Sequence, residues 1–243
     1  MSELYDVIGG GYHRLRRPDP RIGAAVLRAL GSASSVLNVG AGAGSYEPRD
    51  RRVVAVEPSV TMIRQRPRSA APVVRASGTA LPFRDQKFDA SSAILTIHHW
   101  PDRAKGMDEL RRAARQRTVI LTWDPAAPGF WLTDYFPEIL EIDRLLFPSL
   151  DELRRGLGRI AIYDLPIPHD CTDGFLGAYW RRPKSYLDPA VRSAISTFAK
   201  LADVERGLSR LRHDLDSGEW RRRYAEILGE THLDLGYRLV VAT

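Results

Sequence analysis

Ser35-Val36-Leu37-Asn38-Val39-Gly40-Ala41-Gly42-Ala43-Gly44-Ser45 is the stretch on which the fold turns. Its first five residues form a short apolar run of the kind that fills a buried strand, and the run breaks directly into alternating glycines. A glycine-rich turn at the carboxyl end of such a strand is where a doubly wound sheet admits a nucleotide-like ligand, because side chains there would occupy the ligand's space. A dinucleotide fingerprint, G-x-G-x-x-G/A, would need Gly or Ala where Ser45 stands. A phosphate loop would need Gly-Lys-Ser/Thr, which the segment lacks. The turn is therefore not designed around a phosphate.

Working outward, Arg52-Val53-Val54-Ala55-Val56 reads as a second strand ending at Glu57-Pro58. A carboxylate at that strand end can accept hydrogen bonds from two vicinal ribose hydroxyls. Alone, Glu57 would read equally as an exposed loop acid or a ligand contact; its position after the glycine turn is what points to a ligand. Upstream, Ile22 to Leu30 has helical spacing and stops near Gly31. Ser59 caps a helix through Met62 to Gln65, Val73-Val74 is a third strand, and Phe88 to Leu95 a fourth. Asp102 to Arg115 is an amphipathic helix, and Thr118 to Trp123 a fifth strand ending at Asp124-Pro125. Alternating strand and helix signals predict βαβ units and a mainly parallel sheet.

After Asp124 the pattern changes. Phe130 to Phe147 is aromatic-rich and predicted helical, and Ser149-Leu150-Asp151-Glu152 is a capping box opening another helix. Ile160 to Tyr163 is a sixth strand, and Asp170 to Leu228 is predicted mostly helical, with a proline-marked start at Asp188-Pro189. Tyr237 to Val241 returns as a last strand. There is no internal repeat, low-complexity segment or linker, so one domain over residues 1–243 is expected.

Composition narrows the function classes. Lys and Arg number 36 against 30 Asp and Glu, a net charge of +6 that invites a nucleic-acid reading. The charges are interleaved, however: Arg111-Arg112 follow Asp108-Glu109, and Arg154-Arg155 follow Asp151-Glu152, as on solvated helix faces. No nucleic-acid partner is expected. No apolar run approaches the ~20 residues of a membrane span. Met1 to Asp6 is acidic rather than basic-then-apolar, so neither secretion nor a membrane is expected and the reading is cytoplasmic. Cys171 is the single cysteine, and no His/Asp/Glu set has metal-ligand spacing; no metal is expected. No G-x-S-x-G elbow is present for hydrolysis.

Together the motifs resemble a known family. Val36 to Gly44 looks like the first motif of the class I S-adenosylmethionine-dependent methyltransferases, and Val54-Ala55-Val56-Glu57-Pro58-Ser59 resembles their second. Ala80-Leu81-Pro82-Phe83, Lys87-Phe88-Asp89 and His98-His99-Trp100-Pro101-Asp102 follow in the family's order. The resemblance is to the ubiquinone-biosynthesis-like small-molecule branch over about residues 20 to 125. The later runs Asp170 to Phe175 and Asp234 to Arg238 look like an uncharacterised bacterial subgroup of it. It implies a Rossmann-like seven-stranded, mainly parallel sheet with the last strand antiparallel. Helices would cover both faces, with a helical insertion between the last two strands. Residues 20–125 would be the cofactor-binding core, with 126–158 and 170–228 as helical segments on the acceptor side. Within the S-adenosylmethionine site it implies, Gly40, Ala41 and Gly42 lie under the methionine and ribose. Glu57 holds the ribose hydroxyls, Pro58 and Met62 flank the adenine, and Ser77-Gly78 edge it. Ser77 stands where many relatives carry Asp. Leu95 offers its carbonyl near the ligand's amino group, and Tyr12 and Arg16 close over its carboxylate.

Methyl transfer requires an acceptor held near attack distance and, for a hydroxyl, a group to take its proton. His98 and His99 follow strand four, and a neutral imidazole suits that task, although helix capping and packing would equally use histidine there. His98 is the expected base, with Asp124 at the end of strand five orienting it. Some sugar-modifying relatives with the same His-His pattern pair the first His with an Asp at a matching interval. His99, Trp123, Trp131, Tyr135, His169 and Trp180 are the expected acceptor contacts. The aromatic density favours a flat or apolar small molecule, although such residues also build cores. Alternatives are a nucleic-acid methyltransferase, a non-catalytic S-adenosylmethionine binder and, more distantly, a nicotinamide oxidoreductase. Salt-dependent nucleic-acid binding, absence of labelled product, and NAD titration discriminate these in turn. Oligomeric state is not encoded legibly.

Overall fold

The apolar run at the glycine turn becomes β1 (Ser35–Val39), buried at every position and central in a seven-stranded sheet of the computed structural model, which describes residues 15–243. β2 (Arg52–Val56) and β3 (Val73–Val74) extend the sheet to one side; β4 (Phe88–Ile94) and β5 (Ala114–Trp123) extend it to the other, all parallel. β6 (Ile160–Asp164) forms the far edge, and β7 (Ile167–Pro168) pairs with β8 (His232–Leu233) outside the main sheet. β9 (Tyr237–Ala242) inserts antiparallel between β5 and β6, giving the order β3-β2-β1-β4-β5-β9-β6. The fourth strand ends one residue earlier than its apolar pattern suggests, because Leu95 turns into the left-handed region with φ 51°.

Helices cover both faces, as alternation along the strands requires. Val36, Val119, Leu239 and Val241 pack against Ile22, Val26 and Leu30 of α1 (Pro20–Leu30). Asp19 caps α1, accepting from the Arg21 amide at 2.9 Å, with Pro20 at its first position. Ser59 caps the short α2 (Val60–Arg64) as expected, accepting from Met62 N at 3.2 Å. On the opposite face Leu37, Val39, Ile120 and Val240 meet Met107 and Leu110 of α3 (Arg103–Ala113), which begins at its cap Asp102.

The aromatic segment after β5 is two helices, α4 (Leu132–Tyr135) and α5 (Glu138–Leu146), because Pro137 has no amide to continue the first. Ser149 caps α6 (Leu150–Leu157) through Glu152 N at 3.1 Å, but only half of the capping box forms. The Glu152 carboxylate is drawn to Arg103 instead, at 2.6 Å. Between β7 and β8 the chain forms α7 (Pro189–Ser193), α8 (Glu205–Asp216), α9 (Glu219–Arg223) and single 3₁₀ turns. Pro183, Pro189 and Gly218 punctuate this region into short pieces. Among the described residues no helix is long and apolar enough to cross a membrane.

Candidate functional site

The strand order reverses between β1 and β4, so the carboxyl ends of those strands diverge and leave a crevice. Gly40 and Gly42 enter it with φ of 70° and 51°. The amides of Gly40 and Ala41 both donate to Val56 O, at 2.8 and 3.0 Å, fixing the turn to the end of β2. A Cβ on Gly40 would lie 2.1 Å from Thr96 Oγ1, so this position needs glycine for contact as well as conformation.

Glu57 is 6% exposed. One carboxylate oxygen accepts from Gly42 N at 2.8 Å and the other from Ser59 N at 2.9 Å. Burial pushes its pKa up, and these two bonds oppose the shift. A carboxylate offers about four acceptor positions, so each oxygen keeps capacity for one more donor. That is the requirement of a vicinal diol.

Every expected cofactor residue among those described lines this one cleft: Arg16, Gly40, Ala41, Gly42, Glu57, Pro58, Met62, Ser77, Gly78 and Leu95. Tyr12 lies outside the described residues. Sequence reasoning missed Thr96, Trp100 and Tyr46, which line it too. Trp100 was within reach: its indole fills the space beside Gly78 and Gly106, where an added Cβ would meet the ring at 3.1 and 2.2 Å.

The Asp170–Gly174 run locks the N-terminal approach to the cleft. Asp173, fully buried, pairs with Arg16 and accepts from the Tyr46 hydroxyl at 2.8 Å. Thr172 N donates to Asp19 at 3.1 Å, Asp170 pairs with Arg21 at 2.7 Å, and Gly174 N donates to Leu15 O at 3.0 Å. Burial alone would raise Asp19, but its bonds to Arg21 and Thr172 outweigh that and hold it at about 2.

A second hollow adjoins the cleft, and Arg16, Leu95 and His99 line both. His98 lies here, stacked on Phe147 with ring centroids 4.0 Å apart and against His99 at 3.9 Å. Its Nδ1 is enclosed and, among the described residues, has no hydrogen-bond partner. Burial, then neighbouring His99, Arg16, Lys200 and Arg103, drives its pKa well below the usual histidine value, so the ring is neutral at physiological pH. Burial, with Lys200 and Arg16, likewise lowers His99 to about 4.

Asp124 does not line the hollow that holds His98. Its carboxylate accepts from Ala126 N at 3.0 Å and closes the turn after β5. The acid in the hollow is instead Asp143 on α5, 5% exposed and accepting from the Thr197 hydroxyl at 2.8 Å. Burial, only partly offset by Thr197, pushes Asp143 up to about 6. A carboxylate raised above its unfolded value lowers native stability as pH climbs from about 4 through 6, and the loss persists above that. Asp143→Asn is therefore expected to be more stable than the parent at pH 7.5, by about 1–3 kcal/mol, with the advantage gone near pH 4. Urea melts at both pH values check this; destabilisation at both would contradict it.

Of the other expected acceptor contacts, His99 and Trp123 line the hollow. Trp131, Tyr135 and Trp180 are placed elsewhere, in an aromatic core. Trp131 packs edge-on to Trp220 at 5.2 Å and donates to Trp180 O at 2.6 Å. Trp180 Nε1 donates to Ile167 O at 3.0 Å, and Tyr135 donates to Asp214 at 2.7 Å. His169 sits at the β7–β8 pair, its amide on Thr231 O at 2.9 Å, and lines neither space.

Comparison with known proteins matches residues 37–122 to a family described as a methyltransferase domain. A solved structure of a candidate methyltransferase from an antibiotic biosynthesis pathway of Anabaena variabilis is 36% identical. It covers 94% of this chain and 99% of that one, with a TM-score of 0.86. A SAM-dependent methyltransferase of Thermotoga maritima shares the fold at 14% identity, with a TM-score of 0.61 over 100% of this chain and 99% of that one. Among curated proteins, chloroplastic 2-methyl-6-phytyl-1,4-hydroquinone methyltransferase 2 of Oryza sativa subsp. japonica is 27% identical over 110 residues. That stretch is 45% of this chain and 29% of the rice protein, so the chain spans under a third of that relative.

Proposed function

This chain belongs to the class I S-adenosylmethionine-dependent methyltransferases, and on that premise we propose that it methylates a small-molecule acceptor held in the hollow beside the glycine-turn cleft. The observation that carries this is the junction of the two spaces at Arg16, Leu95 and His99. A donor in one and an acceptor in the other would meet there. The cleft suits the donor: Glu57 retains acceptor capacity for a diol, Met62 and Pro58 give apolar flanks, and Gly40 and Gly42 leave the floor bare.

Bound in the cleft, S-adenosylmethionine supplies a methyl carbon made electrophilic by its sulfonium. The chain's task is to aim the acceptor's lone pair at that carbon in line with the bond to sulfur, which leaves with its electron pair. For a hydroxyl or amine acceptor a proton must also go, and we assign its uptake to His98, which lines the hollow, is neutral and has no Nδ1 partner among the described residues; the lowered pKa that keeps it neutral also makes it a weak base.

The test is transfer of labelled methyl from S-adenosylmethionine to the small-molecule fraction of a bacterial extract. A labelled low-molecular-weight product is expected. Label on RNA or DNA would favour a nucleic-acid enzyme, and cofactor binding without any product a non-catalytic binder. His98→Ala should lower turnover about 100-fold or more, the usual range for a proton-transfer group, while S-adenosylhomocysteine affinity stays within about threefold. Unchanged turnover would remove His98 from the mechanism.

A further inference from the structure

We propose that Asp143 selects the acceptor: the hollow beside the cofactor cleft takes a planar molecule that presents an N–H or O–H group to this carboxylate. The assignment rests on the methyl-transfer reading and deepens it. Asp143 projects from α5 into the hollow and is nearly closed off from solvent. Its hydrogen-bond partner is the neutral Thr197 hydroxyl, and no Lys or Arg among the described residues forms an ion pair with it. A buried acid without a cation costs the fold stability, and an apolar or amide side chain would serve packing better. The remaining acceptor positions of the carboxylate match a donor supplied by a ligand.

The surroundings restrict that ligand further. Trp123, Phe147, Phe175 and Tyr237 wall the hollow, and the His98 ring lies nearly parallel to Phe147, with 22° between planes. Such walls favour a flat ring. Beyond Asp143 a smaller recess is lined by Phe130, Leu140 and Leu235, so the wall on that side is apolar. An anionic acceptor would face the carboxylate at close range, and a hydrocarbon would leave it without a partner; both are disfavoured. His98, whose Nδ1 has no hydrogen-bond partner among the described residues, lines the same hollow. Asp143 is thus a positioning residue.

Matched aromatic fragments test this against the S-adenosylhomocysteine-loaded protein by ligand-observed NMR: phenol and benzylamine as donors, anisole and benzoate as their capped and anionic counterparts. Phenol and benzylamine are expected to bind at least about tenfold more tightly than anisole or benzoate, the usual worth of one hydrogen bond to a buried charge. Asp143→Leu should abolish that preference. Asp143→Asn, which keeps the shape and the Thr197 bond, should weaken benzylamine at least about tenfold. Equal binding across the set, preference retained in both variants, or no binding by either donor would overturn the assignment. S-adenosylhomocysteine affinity, read on the same samples, separates the two levels. Failure of the fragments with the nucleoside bound sinks the role of Asp143 alone, whereas failure to bind the nucleoside sinks the methyl-transfer reading and this with it.

Discussion

Glu57→Ala is expected to weaken S-adenosylhomocysteine binding by about two to three orders of magnitude. Each hydrogen bond to a charged acceptor contributes about 1.5–3 kcal/mol, and two ribose hydroxyls on one carboxylate make two of them. Their loss amounts to about 3–6 kcal/mol, or roughly a 150- to 25,000-fold change in Kd at the limits, with the upper part reduced by water filling the gap. The substitution also strips the Gly42 and Ser59 amides of their partner, so the turn and the start of α2 loosen together. Glu57→Gln separates the two effects, because one oxygen still accepts while the charge is gone; an intermediate loss is expected. Calorimetric titration of both variants decides the matter. A change below about threefold for Glu57→Ala would mean that the carboxylate does not grip the ribose.

Gly40→Ala is the second large effect, and it acts through the backbone. At φ 70° a side chain costs about 1–2 kcal/mol by itself. The added carbon would also collide with Thr96 Oγ1 at 2.1 Å. Thr96 has little room to retreat, since it is buried and follows Leu95, whose φ of 51° and amide bond to Leu121 O at 2.8 Å fix the turn after β4. We expect a stability loss of about 2–4 kcal/mol and at least about tenfold weaker S-adenosylhomocysteine binding. Adding Thr96→Gly should restore the part due to collision and leave the conformational part, a coupling that urea melts of the single and double variants read directly. Additive losses would show that the two residues do not meet.

How much of this was legible in the linear chain follows from the range of the contacts. The parallel core announced itself because Val36, Leu37 and Val54 sit in short apolar runs, each ended by its own glycine or acid. The cleft was legible for the same reason, since Gly40 to Gly42 and Glu57 to Met62 lie at two neighbouring strand ends that βαβ order must bring together. The acceptor side was not. Asp143 and Thr197 stand 54 positions apart and meet only once α5 packs near the Phe198 turn. Nothing local distinguishes Asp143 from the other acids of an amphipathic helix. The aromatic residues misled for a physical reason: Trp131, Tyr135 and Trp180 satisfy one another and nearby carbonyl or carboxylate groups, so they close a core rather than open a wall. Phe147 and Tyr237, singled out only as element ends, line the hollow instead.

On the proposed reading the glycine turn and Glu57 together hold an adenosyl ligand. Isothermal titration of S-adenosylhomocysteine into the purified parent protein tests it most directly. One site per chain is predicted, with micromolar or tighter affinity that Glu57→Ala removes. An absence of binding heat with either this nucleoside or S-adenosylmethionine, in a protein shown by its melt to be folded, would contradict the account.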